Sequence, residues 1–237
     1  MAEYLDSVDP LKDGISKIEL IDYLGDDVTV VNAARVSFNK ESEWEVPCPD
    51  MPVLKHGDGR LINFLARHGH WTPFAHTMLQ FRIKAPFFIA RQWFRHQVGI
   101  SRNEVSRRYV REQPEVFMPG YLRKAGPDIK QGSIDEDAGY PARVVMDEAL
   151  ERAEAAYLSL IAQGVCPEQA RGVLPLASYT EWVETGSIAA YARIFNQRAP
   201  KDAQQEVRQY ALALPALIPP KMTNSWDSLT RSTVDNL

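Results

Sequence analysis

The chain has 237 residues, 45% hydrophobic and 24% charged, with a formal net charge of −4. That suits a single domain over residues 1–237 with room for a buried core, and it excludes a protein built mainly to hold a nucleic-acid backbone, which would be basic. Two cysteines, no basic start followed by an apolar run, and no apolar stretch of about 18 residues together predict a soluble cytoplasmic protein with reduced thiols, without membrane or nucleic-acid partners.

Residues 16–23, SKIELIDY, alternate in part and read as a strand. Asp26 or Asp27 opens a short helix over 27–36. Asp58 is expected to cap a helix with Leu61, Phe64, Leu65 and His68 on one face, stopped by Gly69. Residues 77–83, TMLQFRI, alternate as a strand. Pro86 suits the first turn of a helix to about Gln97, with Gly99 as its stop. Residues 112–140, rich in Pro, Gly and Asp, predict a long loop with a possible short strand over 116–122. A helix follows over 141–161 with Val145, Ala149, Ala153, Ala156 and Leu160 as its stripe. Pro167 starts a short helix through Arg171. Ser187 caps a helix through Arg198. Asp202 caps one through Leu214, striped by Val207, Tyr210, Ala211 and Leu214. Pro219-Pro220 begins a polar tail. Strands first and helices later predict an α+β fold: an antiparallel sheet core packed with helices, and a helical C-terminal half.

One segment departs from the acidic average. Residues 91–111 carry six arginines (Arg91, Arg95, Arg102, Arg107, Arg108 and Arg111), no lysine, and Glu104 as the single acid. A guanidinium is flat, always charged, and presents paired donors that match phosphate or carbonyl oxygens. On the expected helix Gln92, Arg95 and His96 share a face, while Ile89 and Trp93 point into the core. Ser106 and the backbone near Arg107 can hold a phosphate, and Glu104 can accept from a sugar hydroxyl. Anion, sugar and base together describe a nucleotide. The alternative for such a stretch is a solvated basic face, or arginines paired with acids elsewhere in the chain.

Other chemistries have weaker support. Cys48 after Pro47 is a formal nucleophile, but no base lies near it in sequence, so an inert thiol is expected. Ser106 lacks a matched base in the same way. His68, His70 and His76 follow an H-x-H-x5-H spacing that fits no standard zinc site, and His68 on an apolar face reads as a core histidine; no metal is expected. Nucleic-acid binding through the arginines conflicts with the acidic total, and Trp93 and Phe94 read as core.

The segment Arg95-His96-Gln97 followed by Ser101-x-Asn103-Glu104-x-Ser106-x-Arg108-Tyr109 resembles the signature of the flavin-dependent thymidylate synthases, R-H-R and then S-x-N-E-x-S-x-R-Y. Upstream, His70 to His76 is similar to that family's H-x-T-P-F-E-H. Lys84-Ala85-Pro86, Ala90 to Trp93, Ala33 to Ser37, Ala170-Arg171, Leu174-Pro175 and Arg198 match in order, over residues 30–215. The chain differs from the pattern at Gln97, where arginine is usual, at Ala75 for glutamate, at Asp202 for histidine, and by one extra residue between His96 and Asn103.

The resemblance implies conversion of dUMP to dTMP, with methylenetetrahydrofolate giving the carbon, reduced FAD the hydride, and NADPH recharging the flavin. Neither cysteine lies in a matched motif, so activation of uracil C5 is expected to be electrostatic, without a covalent cysteine adduct. By the same resemblance Arg198 is the activating catalytic residue, with Arg95 and Arg108 near the nucleotide; Gln92, Ser106, Arg107 and Arg171 hold its phosphate, and Glu104 its ribose. Ser37, Thr72, Arg95, His96, Gln97, Ser187 and Arg193 are the implied FAD contacts. No G-x-G-x-x-G or Walker A loop is present, so side chains and helix N-termini must hold the cofactor phosphates. The family also implies a homotetramer whose sites are shared between subunits.

Overall fold

The computed structural model describes residues 6–48, 51–127 and 132–236. In chain order the elements are β1 (Ser7–Val8), β2 (Lys17–Leu24), α1 (Asp27–Arg35), β3 (Glu45–Cys48), β4 (Met51–Val53), α2 (His56–Arg67), β5 (Met78–Pro86), α3 (Phe87–Trp93), β6 (Ile100–Glu104), α4 (Tyr140–Ala162), α5 (Pro167–Ala170), β7 (Tyr179–Ser187), α6 (Ile188–Arg198), α7 (Gln205–Ala213) and α8 (Thr223–Val234). The expected architecture holds. Five strands form one antiparallel sheet in the order β1-β2-β5-β7-β6, β3 and β4 make a separate hairpin, and helices dominate the C-terminal half. Among the described residues no helix is long and apolar enough to cross a membrane.

The core is built by period-two burial on β5, whose Leu79, Phe81, Ile83 and Ala85 are all fully buried. Helix α6 packs Ile188, Tyr191, Ile194 and Phe195 into the same cluster, α7 adds the expected Val207, Tyr210 and Ala211, and the expected Leu214 joins from the 3-10 turn after it. Each fully buried Leu, Ile, Val or Phe among these contributes about 1.5–3 kcal/mol of apolar burial. The local signal at α6 is realised: Ser187 is its N-cap, its hydroxyl accepting from Ala190 N at 3.2 Å. Asp26 forms a capping box with Thr29 at the start of α1.

Several expectations are corrected. Helix α2 begins two residues before Asp58, which turns its carboxylate to Arg35 and Ser42 instead of capping. Its buried face is Asp58, Ile62 and Leu65; Phe64 and His68 are exposed, and His68 Nδ1 lies 2.8 Å from Phe64 O. Helix α3 stops at Trp93, short of Gln97. Residues 116–122 form no strand, only a bridge from Val116 to Ser178. On α4 the expected stripe is not a core face in the single chain: Tyr157 is its one buried residue, and Val145 is 70% exposed. Gln204, not Asp202, is the N-cap of α7. The supposed polar tail is helix α8, with Ser225, Trp226 and Thr230 buried. Its first turn is fixed by the buried Asp27 carboxylate, which accepts from Ser225 N at 2.9 Å and from Asn224 N at 3.1 Å.

Strands β6 and β7 were not foreseen. On the buried face of β7 sit Thr180, Trp182, Glu184 and Gly186, one apolar residue in four, so alternation of hydrophobicity is masked. Gly186 is required by proximity. A Cβ there would stand 2.8 Å from Ile100 Cγ1 and 3.1 Å from Gly99 O. Gly99 itself has φ +75°, the left-handed conformation that lets the chain turn from α3 into β6.

Candidate active site

The arginine cluster divides by environment. Arg102 belongs to the fold. It lies opposite Glu184 across β6 and β7, its Nε donates to Glu184 Oε2 at 2.5 Å, and its guanidinium packs 5.2 Å over the Phe94 ring. The same buried carboxylate accepts from Trp93 Nε1 at 2.8 Å and Trp182 Nε1 at 3.0 Å. Arg108 pairs with Glu168 at 3.2 Å, both half exposed. Arg91, Arg95, Arg107 and Arg111 have no carboxylate within ion-pair distance among the described residues.

Two of those unpaired cations share a cavity. A cleft of about 480 Å³ is lined by Arg91 of α3, Glu104 at the end of β6, Ser106 and Arg107 on the following turn, and Glu168 and Arg171 from α5 and the 3-10 turn after it, with an apolar floor of Phe87, Leu174 and Pro175. Four residues expected at the nucleotide (Glu104, Ser106, Arg107 and Arg171) therefore meet, although 60 or more positions separate the first three from the last in the chain. Arg107 Nη1 is held by Glu112 O at 2.6 Å and Arg171 Nε by Glu168 O at 3.3 Å, so both guanidinia are oriented by backbone carbonyls. Glu104 Oε1 accepts from the Thr180 hydroxyl at 2.7 Å, which fixes the carboxylate; its second oxygen has no hydrogen-bond partner among the described residues. Ser106 Oγ accepts from Arg108 N at 3.3 Å.

Gln92 and Arg198 line a different cleft of about 450 Å³, with Arg123, Ser133, Asp202 and Gln204. Gln92 Nε2 donates to Gln204 Oε1 at 2.5 Å, Gln204 Nε2 to Glu206 Oε2 at 2.9 Å, and Glu206 is ion-paired with Arg123 at 2.6 Å. This network ties Arg123 to Gln92. Arg198 Nε donates to His96 Nε2 at 3.0 Å. His96 is 7% exposed, and burial together with Arg198, Arg102, Arg193 and Arg95 pulls its pKa down to about 4. Burial and then Arg95 lower the pKa of Arg198, which still stays cationic at neutral pH. Because α3 ends early, Gln92, Arg95 and His96 do not share one helix face: His96 turns inward and Arg95 is exposed.

A third cavity, of about 710 Å³, has Ser187 and Arg193 of α6 at its wall beside Trp71, Ala75, Met78, Val98, Ala189 and Ala190. Arg193 Nη2 donates to Val98 O. Of the other expected flavin contacts, Thr72 and Gln97 are exposed neighbours of the lining residues Trp71 and Val98, while Ser37 sits on an exposed 3-10 turn (Val36–Phe38) outside this lining. Among the described residues no three His, Cys, Asp or Glu side chains converge as metal ligands.

The profile of the family described as "Thymidylate synthase complementing protein" matches residues 19–221. The chain is similar to the flavin-dependent thymidylate synthase of Thermosipho africanus, 39% identical over 198 residues, covering 82% of each chain. It is similar to the flavin-dependent thymidylate synthase of Thermus thermophilus, 36% identical over 213 residues, covering 88% of this chain and 73% of that one. The chain belongs to the flavin-dependent thymidylate synthase family. Its fold is similar to the crystal structure of a UMP/dUMP methylase, PolB from Streptomyces cacaoi bound with 5-Br dUMP, with a TM-score of 0.75 and 25% identity, over 98% of this chain and 97% of that one.

Sequence reasoning did not place Arg91, Arg123, Gln204 and Glu206 at these clefts. Arg91 was visible as part of the cluster and lies four residues after Phe87 on α3, the spacing that puts both in one cleft. Arg123 and Glu206 carried no signal: their pairing depends on where the long loop folds back.

Proposed function

We propose that this enzyme methylates dUMP at C5 to give dTMP, with methylenetetrahydrofolate as carbon donor and NADPH-reduced FAD as hydride donor, without a protein–nucleotide covalent adduct. The observation that carries the reading is the cleft of Arg91, Ser106, Arg107 and Arg171: cations without carboxylate partners among the described residues, a hydroxyl, and Glu104 held ready for a sugar. A nucleoside monophosphate supplies the anion and the hydroxyl such a cleft lacks.

Arg198 acts on the base. As uracil C5 attacks the methylene carbon, negative charge builds on the ring oxygens and N3. A cation already fixed there stabilises it and lowers the N3 pKa. One preorganised donor of this kind contributes about 2.7–4 kcal/mol. The Nε of Arg198 is taken by His96, and its terminal nitrogens have no protein partner among the described residues. The exposed Cys166 is the N-cap of α5 and lines none of the three cavities, which supports chemistry without its thiol.

The residues of the 710 Å³ cavity fit a flavin. Its apolar wall suits a planar ring system, and the N-terminus of α6 with Arg193 suits the diphosphate. When bound, the reduced flavin supplies the hydride that completes the methyl group. In one chain the phosphate cleft and the Arg198 cleft share no residue. That separation, with the exposed Tyr140 and Val145 on α4, supports a homotetramer in which one subunit holds the phosphate and another presents Arg198. We assign the enzyme to the cytoplasm.

The test is an anaerobic assay with dUMP, methylenetetrahydrofolate and chemically reduced flavin. dTMP is the expected product, and the purified protein is expected to carry a flavin absorbance band. No dTMP under these conditions overturns the proposal.

A further inference from the structure

We infer that His96 is a positioning residue for Arg198: its neutral imidazole accepts the Nε–H of Arg198 at Nε2 and thereby sets where the two terminal guanidinium nitrogens point. The inference rests on the reading of Arg198 as the activating cation, and it gives His96 a task beyond the flavin contact its motif implies.

The geometry is specific. Arg198 Nε to His96 Nε2 is 3.0 Å, across 102 residues of sequence, between the end of α6 and the turn after α3. A guanidinium is planar, so anchoring Nε–H on a side chain already tethered at Cδ restricts the plane and the aim of both terminal NH₂ groups. Arg198 lines its cleft. Without this contact a long side chain would sample several rotamers, and a misaimed donor contributes little. The contact also fixes the tautomer. Nε2 accepts, so the ring proton is on Nδ1. A charged imidazole would present N–H to N–H and release Arg198. The structure opposes that charge: His96 is buried, and the charged groups that act on it most strongly are Arg198 and Arg193 of α6, Arg102 of β6 and Arg95 of the preceding turn, all cations. Arg198, Arg193 and Arg95, the cations assigned to ligands, thus help to keep the imidazole neutral, with Arg102 of the sheet.

The experiment combines ¹⁵N-histidine NMR on the full-length protein with steady-state kinetics. The His96 resonances, assigned by their loss in His96→Phe, are expected to show a neutral Nδ1–H tautomer at pH 7 that persists below pH 5. His96→Phe is expected to lower kcat about 10- to 100-fold, the range for losing a hydrogen bond to a charged group, with the dissociation constant for dUMP changed far less. His96→Gln, whose amide oxygen can accept from Arg198 Nε, is expected to restore most of that kcat. An Nε2–H tautomer or a charged ring at pH 7 overturns the inference, as does unchanged kcat in His96→Phe. If His96→Phe fails to fold, the loss of the same resonances in His96→Gln assigns them, and the NMR titration of the unaltered protein with the kcat of His96→Gln still decides. Failure of the unaltered protein to make dTMP removes the proposed activity, while the tautomer readout judges the pairing by itself.

Discussion

Arg102 and Glu184 stand directly opposite each other on β6 and β7, 2.5 Å apart, with Glu184 fully desolvated and bridged to Trp93 and Trp182. One member of an arginine cluster is therefore neutralised inside the sheet, while Arg91, Arg95, Arg107 and Arg111 have no acid partner among the described residues. Composition does not separate these two kinds of arginine; burial does.

Arg102→Ala should lower the free energy of unfolding by about 3–5 kcal/mol, because it strands a buried carboxylate. Arg107→Ala, which removes a half-buried cation without an acid partner, should change it by about 0.5 kcal/mol or less. Denaturant unfolding of the two variants checks this; equal losses would contradict the division.

Arg171→Ala and Arg107→Ala should each weaken dUMP binding about 10- to 100-fold, the loss expected for a charge-assisted hydrogen bond. Binding of deoxyuridine, which has no phosphate, should be nearly indifferent to Arg171→Ala. Arg111→Ala, exposed and outside the cleft, should leave the affinity for dUMP unchanged. Calorimetric titration of the variants with both ligands reads all three.

The pH dependence of stability should carry the mark of His96. Its unfolded pKa is near 6.5 and its folded value about 4. Between those values the unfolded chain holds a proton that the native chain does not, so stability falls as pH drops from 6.5 toward 4, by up to about 1.4 kcal/mol per pH unit. Above pH 6.5 the contribution is constant. The difference in unfolding free energy between the native protein and His96→Gln, followed across that window, should show this slope; a flat difference would contradict it.

The double variant Cys48→Ser, Cys166→Ser should retain dTMP formation within a few-fold of the unaltered protein, because activation of C5 is assigned to a guanidinium. A dead enzyme that still folds and binds dUMP would indicate thiol chemistry.

Where local signals agreed with the final packing, the fold was legible. Ser187 before an apolar helical stripe placed α6 and, at its end, Arg198; the alternation of 77–83 marked the middle of β5. Strand β7 stayed hidden because its inward face carries Thr180, Glu184 and Gly186, whose partners come from elsewhere in the chain. Helix α8 was hidden for a related reason: a polar sequence becomes a packed helix because Asp27, at the other end of the chain, holds its first turn. The grouping of Glu104, Ser106 and Arg107 followed from their closeness in sequence, and Arg171 joined them through family resemblance. Sequence had no means to give the Arg198–His96 contact or the Arg123–Glu206–Gln204–Gln92 chain. Each depends on side chains that meet only after the sheet and the long loop close.

Arg198 is the centre of the account, and single-turnover dTMP formation by Arg198→Ala tests it most directly. Flavin-reduced enzyme, saturating dUMP and methylenetetrahydrofolate would be mixed without oxygen and the dTMP quantified over time. The account predicts a rate at least about 100-fold below that of the unaltered enzyme, with the variant folded and still binding dUMP. An undiminished rate would contradict it.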